Sequence, residues 1–137
     1  MIKKYETRQA GINFKLVLKD NIILIGGLSG SGKTLLFDAF QSDKALNPDS
    51  NIICINFLTE KKFIDEILTN SKGQLIVIDN ADPILTDDQK FDISIDHKNQ
   101  YIIFTHSLEG FEPSDSSIAE LVVKNNVGEL YYPLLED

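Results

Sequence analysis

A chain of 137 residues leaves room for one domain over 1–137, and a domain of that size buries about two thirds of its unfolded surface. Apolar residues at 42% and charged residues at 25% exclude a disordered, collagen-like or coiled-coil chain. With 21 acidic against 13 basic side chains, a formal charge of -8 and Arg8 as the only arginine, a sequence-independent grip on a phosphodiester backbone is disfavoured.

A lone cysteine, Cys54, cannot form an intramolecular disulfide, and there is neither a Cys-x-x-Cys pair nor a Cys/His cluster to hold zinc. Its place in the apolar run 51–57 predicts an inert thiol. The opening MIKKYETRQAG has lysines with no apolar stretch behind them, and no run approaches the roughly 20 residues needed to span a bilayer. The expectation is a cytoplasmic protein with no membrane contact.

In chain order, 14–18 alternates apolar and polar residues, Lys19-Asp20 reads as a turn, and 21–25 is a solid apolar run: a hairpin feeding a buried strand. After a glycine-rich stretch, Leu35, Leu36, Ala39 and Phe40 fall at helical spacing within 33–41. Pro48 and its polar neighbours break the chain before a second apolar strand at 52–57. Thr59 suits an N-cap, with Phe63, Ile64, Ile67 and Leu68 on one face and Gly73 past the end. A third strand follows at 75–78, and Thr86 with Gln89 has the spacing of a capping box opening a helix over 87–95, buried through Phe91 and Ile95. The alternation of Phe91, Ile93 and Ile95 also fits a strand. A fourth strand at 101–104 ends in Thr105-His106-Ser107, and 119–124 with 130–132 forms a terminal hairpin about 125–128. Strands alternating with helices predict an α/β fold with a mainly parallel central sheet, helices on both faces, and hairpins at both ends.

The segment Gly27-Leu28-Ser29-Gly30-Ser31-Gly32-Lys33-Thr34, followed by Leu35, meets G-x-x-x-x-G-K-[ST] at every required position. Glycines let successive N–H groups turn inward around phosphates, and the helix that follows presents the positive end of its dipole to the same charge. Lys33 then serves as a point charge on the terminal phosphates and Thr34 as a hydroxyl ligand to magnesium. The plainer alternative is a flexible turn before a helix.

On this motif, in this order of elements, the chain resembles the P-loop NTPase superfamily over most of its length, which implies the three-layer P-loop fold and binding of ATP with Mg2+. The stretch Leu75-Ile76-Val77-Ile78-Asp79 resembles the Walker B strand, which implies a metal role for Asp79 beside Thr34; an Asp capping the turn into 80–83 is the other reading. Where additional-strand ATPases, ABC and AAA+ proteins among them, usually place a water-polarising glutamate, this chain has Asn80. An amide orients water but cannot take its proton. Asp82 is a second candidate for that task, set against a role in the turn at Pro83. The Thr105-His106-Ser107 triplet is similar to the switch histidine of ABC-type ATPases and, more loosely, to the AAA+ polar sensor. A His106 that merely satisfies a loop carbonyl is the competing account.

The departures narrow the resemblance to a reduced core: no helical insert and no LSGGQ-like signature lie between Thr34 and Asp79, and no AAA+ lid follows. Guanine-reading Asn-Lys-x-Asp is missing, so adenine is preferred by elimination. A small P-loop kinase ranks lower, because such enzymes use several arginines and this chain has only Arg8. The expected function is binding of ATP and Mg2+ with slow hydrolysis, or hydrolysis activated by a protein partner of unknown identity. The alternatives are a nucleotide-dependent switch module without meaningful turnover, and a P-loop fold that binds no nucleotide. The acids Asp87, Asp88, Asp92 and Asp96 read as a solvated helix face or as a surface for a basic partner.

Overall fold

The computed structural model describes residues 1–27 and 32–135. Its first two strands, β1 (Lys4–Gln9) and β2 (Ile12–Val17), form an antiparallel hairpin. The turn residues Ala10 and Gly11 have φ of 51° and 80°, the left-handed geometry that matches the twist of a two-residue hairpin. The predicted hairpin of 14–18 with 21–25 about Lys19-Asp20 does not form. β3 (Ile22–Gly26) pairs instead with two later strands and lies in the sheet interior. The physical reason is burial: Ile22 to Ile25 are buried on both sides, whereas β2 buries only alternate residues and suits a place nearer the edge.

The helix that follows, α1 (Lys33–Leu46), runs five residues beyond its predicted end at Gln41. Strand β4 (Ile52–Ile55) leads to α2 (Lys61–Asn70), and β5 (Leu75–Ile78) to α3 (Asp87–Ile95). Strand β6 (Gln100–Phe104) and the final hairpin of β7 (Ile118–Lys124) and β8 (Val127–Tyr131) complete the chain. The eight strands form one sheet in the order β1-β2-β8-β7-β3-β6-β5-β4. Pairing is antiparallel within the two hairpins and parallel at every other junction, so the fold is α/β with a mixed sheet.

Alternate residues of the interior strands feed two separate cores. Ile23, Ile25, Val77, Ile102 and Phe104 pack with Leu36, Phe37 and Phe40 of α1. Leu24, Ile76, Ile78, Tyr101 and Ile103 pack with Ile64 of α2 and Ile93 of α3. The period-two geometry of a strand allows this division, and the continuous apolar runs of β3, β5 and β6 are its sequence trace. Cys54, half-buried on edge strand β4, has its thiol pushed up to about 11 by burial, which keeps it protonated and unreactive near neutral pH.

Three helix readings need correction, the first being the inner face of α2, where Ile64 is buried but Phe63 is 46% exposed. Thr59 does not cap α2: the N-cap is Glu60, and the Thr59 hydroxyl accepts the N–H of Asn56 at 3.2 Å, closing a turn ahead of the helix. In α3 the capping box forms as predicted, with Thr86 and Gln89 bonded reciprocally at 2.9 and 3.1 Å. The buried face, however, is Lys90 and Ile93, while Phe91 and Ile95 are 47% and 55% exposed. Once the cap sets where the first turn begins, Phe91 falls on the side away from the sheet. Among the described residues, no helix is long and apolar enough to cross a membrane.

The terminal hairpin turns at Asn125 and Asn126, with φ of 51° and 63°, so Gly128, assigned above to the turn, lies within β8. A Cβ at Gly128 would stand 2.5 Å from Cδ1 of the fully buried Phe14 in the adjoining β2. Gly128→Ala is therefore expected to lower stability by about 1–3 kcal/mol, the usual cost of overpacking a core, as read from the midpoint of denaturant unfolding.

Candidate functional site

At the carboxyl ends of β3, β5 and β6 the chain leaves the sheet at one edge and lines a cleft of about 410 Å³. Gly32, Lys33, Thr34 and Leu35 contribute from the start of α1, Asp79 and Asn80 from the end of β5, and Phe104, Thr105 and His106 from the end of β6. The site predictions Lys33, Thr34, Leu35, Asp79, Asn80 and His106 thus meet at one place although they are far apart in sequence. Gly27 stands at the end of β3, and Leu28, Ser29, Gly30 and Ser31 lie outside the described residues.

The backbone explains several residue types. Gly32 caps α1 at φ 98°, a left-handed conformation, and a Cβ there would meet Val123 Cγ2 at 3.1 Å. Its carbonyl accepts the first helical bond, from Leu36 N–H at 3.0 Å. Among the described residues no side chain caps α1 and no acidic residue sits in its first turn, so the positive end of its dipole faces the cleft without a compensating negative charge from them. The Lys33 ammonium donates to the Gly27 carbonyl at 2.7 Å, tying the two ends of the glycine-rich segment together. Asn80 has φ of 51°, a conformation asparagine adopts more readily than glutamate. After it, the Ala81 N–H donates to the Phe104 carbonyl at 2.9 Å and turns the chain across the end of β6.

Two aspartates three residues apart have opposite electrostatics. Burial pushes the Asp79 carboxyl above its ordinary range, and the Asp38 carboxylate, one turn beyond Thr34 on α1, adds to the effect. The Lys33 ammonium and the Asn80 N–H favour the ionised form without restoring the ordinary value. Asp82 also meets a burial cost, but hydrogen bonds outweigh it and hold the carboxyl below the usual range. It accepts from His106 N–H at 2.8 Å, Ser107 N–H at 3.1 Å and the Thr105 hydroxyl at 3.0 Å. Asp82 is therefore engaged with the loop after β6 and is not among the residues lining the cleft, which weighs against it as a substitute water-activating carboxylate. The buried Thr105 hydroxyl also sits 2.8 Å from the Ser107 carbonyl and is committed within the same loop. His106 alone of the triplet presents an exposed side chain at the cleft.

Sequence reading missed the part played by Asp38. Its spacing of four residues from Thr34 on one helix was the available signal, but nothing in the sequence places that face of α1 beside Asp79. Among the described residues, no group of three or more His, Cys, Asp or Glu side chains could hold a metal ion by itself. Any cation here would depend on oxygen atoms from a bound ligand as well as Thr34 and Asp79. No protein-family model, curated protein or solved structure matches the chain.

The two aspartates should respond to amide substitution with opposite sign. A raised folded pKa means that Asp79 is disfavoured when ionised, so Asp79→Asn is expected to raise the melting temperature at pH 7. That gain should begin to fade as the pH falls through the raised folded value and be gone below 3.8, where the carboxyl is neutral in the folded and unfolded chain alike. A lowered folded pKa means that Asp82 stabilises when ionised, so Asp82→Asn should lower the melting temperature at pH 7. This loss should shrink as the pH falls from 3.8 toward the depressed folded value, below which it is gone. Thermal melts of both variants from pH 3 to pH 8 check the signs.

Proposed function

We propose that the cleft binds ATP with Mg2+ in the manner of a reduced P-loop NTPase of three-layer form, with slow or partner-activated hydrolysis. The observation that carries the reading is the meeting of Lys33 and Thr34, at the start of α1, with Asp79 at the end of a buried parallel strand. Supporting it, β6 lies between β3 and β5, as an additional strand would. The donor set fits the ligand: an ammonium and the N-terminal N–H groups of a helix suit a polyphosphate, and a hydroxyl with a carboxylate suits a hard cation that retains water. In this role Lys33 would exchange its bond to the Gly27 carbonyl for phosphate oxygens, and Thr34 and Asp79 would hold the cation. Bound magnesium would supply neutralisation of phosphate charge.

Two features argue for slow turnover. Asn80 offers an amide where a general base would be effective, and the nearby Asp82 carboxylate is held by three donors in the neighbouring loop. No arginine lines the cleft: Arg8 is on β1, at the edge of the sheet, with β2, β8 and β7 between it and β3. Fast phosphoryl chemistry would require a partner to bring the missing positive charge. The same features support the second reading, a nucleotide-dependent switch with no meaningful turnover.

Thermal melts with Mg-ATP, Mg-ADP and Mg-GTP test binding. At a hundred times its dissociation constant a ligand adds about 2.7 kcal/mol to the native state, enough for a shift of several degrees. The expected result is a shift with Mg-ATP that falls when magnesium is chelated and is lost in Lys33→Ala. No shift with any nucleotide overturns the proposal. Released phosphate that is absent in Lys33→Ala identifies a weak ATPase, whereas binding without release identifies the switch.

A further inference from the structure

The loop after β6 is held from two sides. Near its start, Asp82 takes donors from three successive residues, the Thr105 hydroxyl and the N–H groups of His106 and Ser107. Further along, α3 grips it. The Lys90 ammonium donates to the Glu109 carbonyl at 3.3 Å and lies 5.5 Å from the centre of the Phe111 ring, and the Ser94 hydroxyl accepts the Glu112 N–H at 2.9 Å. Ser94 is itself anchored, donating to the Lys90 carbonyl at 2.8 Å. Gly110 has φ of 91°, and a Cβ there would come within 2.9 Å of Lys90 Cδ and 3.0 Å of Asp87 Oδ1, so the loop lies directly against α3.

Lys90 is the unexpected member. It is 6% exposed, and among the described residues it has one protein hydrogen bond and no carboxylate within salt-bridge distance. A buried ammonium with so few partners is costly unless a nearby charge compensates it. Its field favours the ionised form of Asp82, which links the two grips electrostatically.

We infer that Asp82 is a positioning residue for His106, and that Lys90 and Ser94 extend the same brace to α3, so that α3 follows what occupies the cleft. Asp82 fixes the backbone on both sides of the His106 side chain while leaving the imidazole free to face the cleft. A ligand that shifts the His106 backbone then loads a loop pinned at Asp82 and at α3, and the strain passes to the helix whose outer side exposes Phe91 and Ile95. This rests on the nucleotide reading only for the identity of the ligand. The brace itself is set by the hydrogen bonds.

The test is heteronuclear NMR of the full chain labelled with 13C at histidine, with His106 distinguished from His97 by the variant His97→Gln, alongside amide hydrogen exchange over α3. In free protein, Asp82→Asn should displace the His106 imidazole resonances and leave those of His97 in place. With Mg-ATP, the wild type should show a His106 displacement and altered exchange over α3. Asp82→Asn should lose both while still giving the Mg-ATP melting shift through Lys33 and Thr34. Lys90→Met should keep the His106 response but lose the exchange response of α3, and Lys90→Arg should restore it. Should Asp82→Asn not fold, Asp82→Glu, which keeps the charge but displaces the oxygens by one methylene, is read in the same way. Unchanged His106 resonances in the free Asp82 variant overturn the brace, as does an intact α3 response in Lys90→Met. A wild type that shows no melting shift with nucleotide overturns the proposed ligand instead, and the free-protein comparison still decides the brace.

Discussion

The parallel pairing of β6 with β3 on one side and β5 on the other is the constraint on which the site depends. Ile25 stands opposite Phe104, and Ile78 opposite Ile103, so the three strands end at nearly the same level. Each leaves the sheet in the same direction and places its next few residues at one edge: the glycine-rich segment with α1, the Asp79-Asn80 turn, and the His106 loop. A shift of one residue in either register would turn every following side chain to the opposite face of the sheet. The fully buried apolar residues on both faces of these strands, divided between two cores, make such a shift costly.

On this frame, two neighbouring carboxylates have different tasks. Asp79 sits where burial and Asp38 work against its charge, with Lys33 as partial compensation. Perturbation of this kind is common where a site binds or reacts. Asp82 is in the reverse condition, satisfied by three donors and stabilising the turn. The left-handed backbone at Asn80 separates them, sending one carboxylate toward the cleft and the other toward the adjacent loop. The cleft therefore holds a carboxylate whose charge is disfavoured, while its neighbour is engaged by three donors outside the cleft lining.

Several misreadings share a cause. The alternation in β2 is correct as a strand, but its hairpin partner is β1, whose outward Lys4, Glu6 and Arg8 and half-buried Tyr5, Thr7 and Gln9 carry little apolar contrast. Pairing is a property of two segments, and proximity in sequence favoured the wrong one. In α3 the capping residues fix the start correctly, yet hydrophobicity misleads about the inner face. Lys90 is drawn inward by Glu109, Phe111 and the charge of Asp82, none of which is local to the helix.

By itself the sequence determined the α/β class, the strands β3, β5 and β6, the capping box of α3, and the residues Lys33, Thr34, Asp79, Asn80 and His106 as candidates. These follow from local rules: apolar runs bury on both faces, cap geometry spans four residues, and a phosphate-loop pattern is contiguous. The tertiary structure alone decided the mixed sheet order, the pairing of β2, the setting of Asp38 beside Asp79, the capture of Asp82 by the His106 loop, and the burial of Lys90. Each of those depends on which distant segments come into contact, and on how desolvation and charge act across that contact, quantities that no window along the chain contains.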